Sequence, residues 1–302
     1  MSDVPAGERL ALTARQLLLE DQACRAVRLL AAADVVSVVI KGPVTARLLY
    51  EHPLEHPYND IDLLVCPVDF ERAKSLFLSA GFIDVADSAE EVYRADNEAH
   101  LLRGEVCIDL HSRLVGVPPA RAQQAWEVLT ASLDTLTIHG TDLPVFRPPA
   151  RALHLPLHVA QSPDADKPLR DLARGLKAFD VQIWESAYDL AVQVDAVPAF
   201  ALGLRRLPQG VALAERLALP RWTAAESWLR LRGAPQEALA LERLRSLTGI
   251  AERWRHVTSL LSVVDATVAR PGRWRRRAVV AGRMILAVPV WLQAVWQERH
   301  RP

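Results

Sequence analysis

The sequence predicts an α+β protein in two parts, with strands and helices interspersed over residues 1–148 and helices alone over 149–302. Three observations predict it. Two short apolar runs, Val35 to Ile40 and Ile61 to Cys66, are too continuous for surface strands and too short for helices, so they read as buried strands. Further β-type runs, separated by polar turns, follow at 82–85, 92–93, 100–102 and 106–110, and a hairpin pairs 136–139 with 143–146 through Gly140-Thr141-Asp142. Beyond Pro148-Pro149 only helical periodicity remains, rich in Ala, Leu and Arg, with breaks near Pro163, Pro198, Pro208, Pro220, Gly233 and Gly272.

The helices of the first part are placed by the same reasoning. From Glu8 to about Ala33, apolar residues such as Leu10, Ala14, Leu17, Cys24, Val27 and Leu30 recur at helical spacing, giving one or two amphipathic helices. The strand at 35–40 ends at Lys41-Gly42, and Pro43 suits the first turn of a helix reaching Tyr50. The loop EHPLEHPYN delivers the chain into the strand at 61–66, which Pro67 stops. Phe70, Ala73, Leu76 and Phe77 mark a helix over 69–80 that ends at Gly81.

Composition narrows the function. With 302 residues and 50% hydrophobic content, the chain suits one large domain or two modest ones. Lys plus Arg and Asp plus Glu both total 36, so no overall field favours nucleic acid; a nucleic-acid partner stays open only through a local basic surface. Cys24, Cys66 and Cys107 lack paired metal-ligand spacing and read as reduced core thiols of a cytoplasmic protein. The start, MSDVPAGERLALTARQ, has neither the positive beginning nor the apolar stretch of a secretory signal. Arg283 and Pro289 interrupt the apolar run at 278–296, which argues against a membrane span.

The chemistry centres on NDIDLLV, Asn59 to Val65. Alternation along a strand turns Asp60 and Asp62 to one face, roughly 6–7 Å apart at the backbone, while Ile61 and Leu63 enter the core. Aspartate is depleted in strands and adjacent like charges repel, so the pattern calls for a cation. In VCIDLHSRL, Asp109 and His111 share a face opposite Ile108 and Leu110; if that strand lies beside the first, Asp109 completes a three-carboxylate cluster. Hard oxygen ligands suit magnesium, and the implied chemistry is two-metal phosphoryl transfer. Singly, Asp60 is equally a turn residue after Asn59, and Asp109 equally an ion-pair partner of Arg103 or Arg113.

At these residues, IKG (40–42), NDIDLLV (59–65) and IDLH (108–111), the chain resembles the uncharacterised nucleotidyltransferases of the DNA-polymerase-β-like superfamily. The resemblance is good to about residue 115 and looser to about 185. It implies a mixed sheet flanked by helices, then a helical segment that helps hold the nucleotide. It also implies that Asp60 and Asp62 hold two Mg2+ ions and that Asp109 binds the catalytic ion and activates the acceptor. Where the superfamily at large has Gly-Ser in its phosphate loop, this chain has Lys41-Gly42, as this subgroup does. Lys41 and Gly42 are therefore expected at the triphosphate, with glycine permitting close approach of an anion. Lys167, Arg170 and Asp171 resemble a basic and acidic pair that some relatives place near phosphate, which makes Lys167 and Asp171 nucleotide-binding candidates; a solvated helix face is the plainer reading.

Three further features are weighed. His111 meets the acceptor, orients a carboxylate or is merely structural. His154 and His158, four apart, lack the glutamate of a hydrolytic zinc motif and have Pro156 between them, which should disturb the helix; they read as ordinary packing or a structural hydrogen bond. Arg270, Arg273, Arg275, Arg276 and Arg277 beside Trp274, Trp291 and Trp296 compose either an interfacial helix for an anionic membrane or a closing helix packed on its own domain. The expected function is transfer of a nucleoside monophosphate from an NTP, ATP among them, to a hydroxyl or phosphate on a small molecule, a peptide or an RNA end. The alternatives are a nucleotide-binding accessory protein without turnover and a membrane-surface adaptor.

Overall fold

The two apolar runs become the centre of a seven-stranded sheet. The computed structural model describes residues 6–85, 98–162, 165–221, 224–247, 249–251, 253–254, 257 and 273–300. In it β1 (Ser37–Val39) pairs antiparallel with β2 (Asp60–Val65) and parallel with β7 (Thr141–Phe146). On the other side β2 pairs parallel with β5 (Val106–His111), and β4 (Glu98–Arg103) and β3 (Ile83–Asp84) extend that edge antiparallel. The hairpin β6 (Leu133–Ile138) to β7 closes the opposite edge, giving the order β3-β4-β5-β2-β1-β7-β6. The strand expected at 92–93, the break at Pro163, Arg270 and Gly272 lie outside the described residues, as do the side chains of Arg273, Trp274, Arg275, Arg276 and Arg277.

Strand parity decides which residues meet which helices. Val39, Ile61, Leu63, Leu101, Ile108 and Leu110 face α1 (Ala6–Ala31) and α3 (Phe70–Ser79), where Leu19, Ala23, Leu30 and Phe77 complete a buried cluster. Each large aliphatic side chain so buried contributes about 1.5–3 kcal/mol. The periodicity over 8–33 thus forms one continuous helix. An ion pair clips it to α2 (Pro43–Leu49): buried Glu20 accepts from Arg47 Nε at 2.8 Å and Nη2 at 2.9 Å, a bidentate arrangement. The short helix α4 (Ala122–Thr130) fills a stretch to which the sequence assigns no element.

On the other sheet face Val38, Ile40 and Leu64 pack against α5 (Pro148–Gln161), which begins two residues after β7. Behind α5 stand α6 (Asp166–Ala178), α7 (Val181–Gln193), α8 (Val197–Leu204) and α9 (Pro208–Arg216). Pro156 does not break α5 as expected; the helix runs through it. Packing on both sides offsets the missing N–H bond, and Gly203 of α8 lies so close that an added Cβ would stand 2.0 Å from the Pro156 carbonyl oxygen.

The last helices, α10 (Ala225–Leu231), α11 (Gln236–Ser246) and α12 (Arg273–Arg299), share a separate small core of Ala225, Leu229, Ala238, Ala287, Ala294 and Val295. Trp291 Nε1 donates to Glu242 Oε2 at 3.0 Å and fastens α12 to α11. The closing-helix reading therefore describes one stripe of α12, while Ile285, Leu286, Leu292 and Trp296 are each more than half exposed. Among the described residues no helix is long and apolar enough to cross a membrane.

The α5–α8 contact yields a stability prediction. Gly203→Ala must force two backbones apart and should cost about 2–3 kcal/mol, read as a lower urea midpoint. Gly7→Ala, whose added methyl meets nothing within 4 Å, should leave stability unchanged or raise it by up to about 1 kcal/mol. Equal midpoints for Gly203→Ala and wild type would contradict the packing.

Candidate active site

The register of β2 on β5 assembles the site. Asp62 lies opposite Asp109, Asp60 opposite Cys107 and Leu64 opposite His111. On the far side of β5, β4 sets His100 opposite Asp109 and Glu98 opposite His111. Because side chains alternate, Asp60, Asp62, Cys107, Asp109, His111, Glu98 and His100 all stand on one sheet face while their neighbours fill the core beneath. The pairing that the aspartate spacing requires is therefore formed, and His111 sits beside Asp109 as the parity of β5 dictates.

The carboxylates are not left to repel one another, as an isolated cluster would. Lys41, in the turn after β1, places Nζ 2.6 Å from Asp62 Oδ1, and His111 Nε2 lies 3.1 Å from the same oxygen. Asp62 is only 2% exposed. Burial alone would raise its pKa, but the ammonium and the imidazole hold it well below the carboxylate range. On Lys41 the pull of Asp62, with Asp60 and Asp109 beyond it, outweighs burial and raises the pKa. Asp60 goes the other way: burial and then the charges of Asp62 and Asp109 raise its pKa, against opposing pulls from Lys167 and Lys41. Asp109 Oδ1 lies 2.7 Å from His100 Nδ1 and accepts from Cys107 Sγ at 3.4 Å. That contact with Asp109 is the main reason the pKa of His100 is pushed up to about 10.

Gly42 adopts φ +58°, and a Cβ there would press on the Asp60 carbonyl oxygen and the Tyr58 ring at 3.3 Å, so glycine lets the Lys41 turn sit against β2. His111 orients a carboxylate: it is buried between Asp62 and Glu98, with Nδ1 3.7 Å from Glu98 Oε1. Lys167, in the first turn of α6, is partly exposed and acts electrostatically on Asp60.

Asp171 is placed differently from the expectation of a nucleotide contact. It is buried, Oδ1 accepts from the Tyr50 hydroxyl at 2.6 Å, and Oδ2 lies 3.2 Å from His56 Nε2. With both oxygens engaged, its carboxylate anchors α6 on the segment that follows α2 and thereby positions Lys167.

Four residues of the site were not selected from sequence. Cys107, read as core, is half-buried on the site face; its i, i+2 relation to Asp109 carries that information. His100 and Glu98 are cross-strand neighbours in a tight hairpin, and the turn at Gly104-Glu105, with Gly104 at positive φ, is the local signal that sets their register. His154 is buried against the site, hydrogen-bonded to the Ile40 backbone, and burial followed by the Lys41 charge pushes its pKa down to about 3. Its ring stacks on His158 at 6.0 Å, so the packing reading of that pair holds, and the charges of Lys41 and Asp62 act on both rings.

The donor chemistry fits a divalent cation. Asp62, Asp109 and His111 bring ligand atoms within 4.8 Å of one another, and Asp60 shares their face. Lys41 stands as the resident counter-charge of Asp62. Lys41→Met should destabilise the metal-free protein by about 3 kcal/mol, because it strands a buried carboxylate with only the His111 imidazole. Magnesium should raise the thermal midpoint of this variant more than that of wild type; unchanged stability without metal would show that the pair does not hold the site.

No curated protein matches the chain. Among solved structures it is similar to an antigenic nucleotidyltransferase-like protein from Paracoccidioides brasiliensis, at 16% identity over 60% of this chain and 91% of that one, with a TM-score of 0.37. The sequence matches the family described as uncharacterised nucleotidyltransferase over residues 6–212, a span that contains the whole sheet and helices α1 to α8. That match covers more than half of the 302 residues, and the chain belongs to the uncharacterised nucleotidyltransferase family.

Proposed function

We propose that this protein transfers a nucleoside monophosphate from an NTP to a hydroxyl or phosphate acceptor, with Asp60, Asp62 and Asp109 as its metal-binding carboxylates. One observation carries the reading: in a chain of this family, Asp62 and Asp109 are paired in register on adjacent parallel strands, with Asp60 on the same face. Magnesium bound by these carboxylates, as two ions, supplies neutralisation of the triphosphate and a more acidic acceptor hydroxyl.

The chain's own residues prepare each partner. Lys41 is the cation nearest the carboxylates, and its ammonium would turn to phosphate oxygens if a divalent ion were held on Asp62. Gly42 lets the Lys41 turn sit against β2, which keeps the Lys41 ammonium beside the carboxylates. Lys167 brings a second ammonium from α6, held in place by Asp171 through Tyr50 and His56. His111 fixes Asp62 while His100 fixes Asp109, so the carboxylates do not reorganise during reaction. Asp109 receives the acceptor hydroxyl and takes its proton.

Two measurements test this reading. A ligand that binds only the folded state stabilises it by about 2.7 kcal/mol at a hundredfold excess over Kd, enough for a thermal-shift assay. Magnesium and NTP together should shift the midpoint by more than their separate shifts combined. Asp60→Asn with Asp62→Asn should abolish that synergy. Asp109→Asn should lose turnover while retaining more nucleotide binding than Asp62→Asn. No magnesium-dependent stabilisation by any common NTP would favour a non-catalytic role instead.

A further inference from the structure

Beside the carboxylate pair lies a group of different chemistry. His100, Cys107 and Asp109 bring an imidazole nitrogen, a thiol sulfur and a carboxylate oxygen within 4.8 Å of one another. Strand geometry builds the group: Cys107 and Asp109 are two apart on β5, and His100 is the antiparallel partner of Asp109 on β4. We propose that these three side chains form a site for a borderline-soft divalent cation of the zinc class, and that its occupancy withdraws Asp109 from the magnesium cluster.

Ligand type and spacing both support this. Magnesium takes hard oxygens and has no use for a thiolate, whereas zinc takes sulfur, nitrogen and oxygen together and leaves a fourth position open when only three protein ligands are present. Ligand atoms around a tetrahedral zinc lie about 3.3–3.6 Å apart, from bond lengths of about 2.0–2.3 Å. Here Cys107 Sγ is 3.4 Å from Asp109 Oδ1 and His100 Nδ1 is 2.7 Å from it, so small side-chain rotations admit the ion. Binding replaces two protons by the metal, that of the Cys107 thiol and that on His100 Nδ1, and releases both to solvent.

A second observation concerns the outer nitrogen of His100. Nε2 is buried and has no hydrogen-bond partner, and Glu98 Oε1 lies 3.8 Å away. A histidine that ligates through Nδ1 turns its other N–H toward such a carboxylate, which fixes the ring and strengthens the ligand. The free thiols Cys24 and Cys66 have no such surroundings: Cys24 Sγ donates to the Ile138 carbonyl and Cys66 Sγ to Gln123 Oε1.

The binding claim stands apart from the nucleotidyltransferase reading; the consequence for Asp109 rests on it. Full-length protein freed of metal by chelation is titrated with Co2+, then with Zn2+. Wild type should develop a near-ultraviolet thiolate-to-cobalt charge-transfer band that saturates at one equivalent, is displaced by zinc and survives excess magnesium. Cys107→Ser should abolish the band, His100→Gln should weaken cobalt binding at least about tenfold, and Cys66→Ser should change nothing. Zinc should also protect Cys107 of the wild-type protein from alkylation, a readout that does not depend on how well any variant folds. Asp60→Asn separates the two claims, since it removes a magnesium ligand and should keep the cobalt band. A wild type without the band, a band that persists in Cys107→Ser, or alkylation unaffected by zinc would each overturn the site.

Discussion

The parallel register of β2 on β5 is the constraint on which the rest depends. One residue of slip would turn every side chain of β2 to the opposite face. Ile61 and Leu63 would leave the core under α1 and α3, and Asp60 and Asp62 would be driven into it. The first change forfeits about 1.5–3 kcal/mol for each aliphatic side chain, and the second costs several more for each unpaired buried carboxylate. The apolar face and the acidic face thus specify the same pairing. Folding the core correctly and assembling the site are one event.

That register concentrates negative charge, and the molecule balances it with groups of different mobility. His111 and His100 are fixed by their strands and hold Asp62 and Asp109 from the side. Lys41 stands on a turn after β1, with Gly42 in a left-handed conformation behind it, and reaches Asp62 by a flexible stem. A fixed imidazole sets the geometry of a carboxylate; an ammonium on a flexible stem can be replaced by an ion of higher charge. Helix α5 closes the same region with neutral, stacked His154 and His158, and α6 supplies Lys167 from a joint locked by Asp171. The helical part therefore contributes to the site through placement, and α10 to α12 keep a core of their own.

Much of this was legible in the sequence because it is local. Apolar runs bounded by Gly and Pro marked β1 and β2, and the i, i+2 spacing of Asp60 with Asp62 and of Asp109 with His111 marked the face they share. What stayed hidden is relational. His100 and Glu98 belong to the site only because β4 pairs with β5 in one particular register, which the two-residue turn at Gly104-Glu105 sets. Cys107 was legible in principle, since it has the parity of Asp109, but a cysteine in an apolar strand reads first as core. Asp171 resembled a ligand by its neighbours in sequence, and only the fold shows its oxygens spent on Tyr50 and His56. Pro156 looked like a break because local propensity does not register the packing of α8 against it.

The most direct test of the central claim follows the phosphorus. The protein is incubated with magnesium, an extract fractionated into small molecules, proteins and RNA, and each NTP labelled in turn on its α- or its γ-phosphate. The account predicts that α-label enters one acceptor fraction in a magnesium-dependent way, that γ-label leaves as pyrophosphate, and that Asp109→Asn transfers neither. Transfer of γ-label to the acceptor, or α-label transfer undiminished in Asp109→Asn, would contradict it.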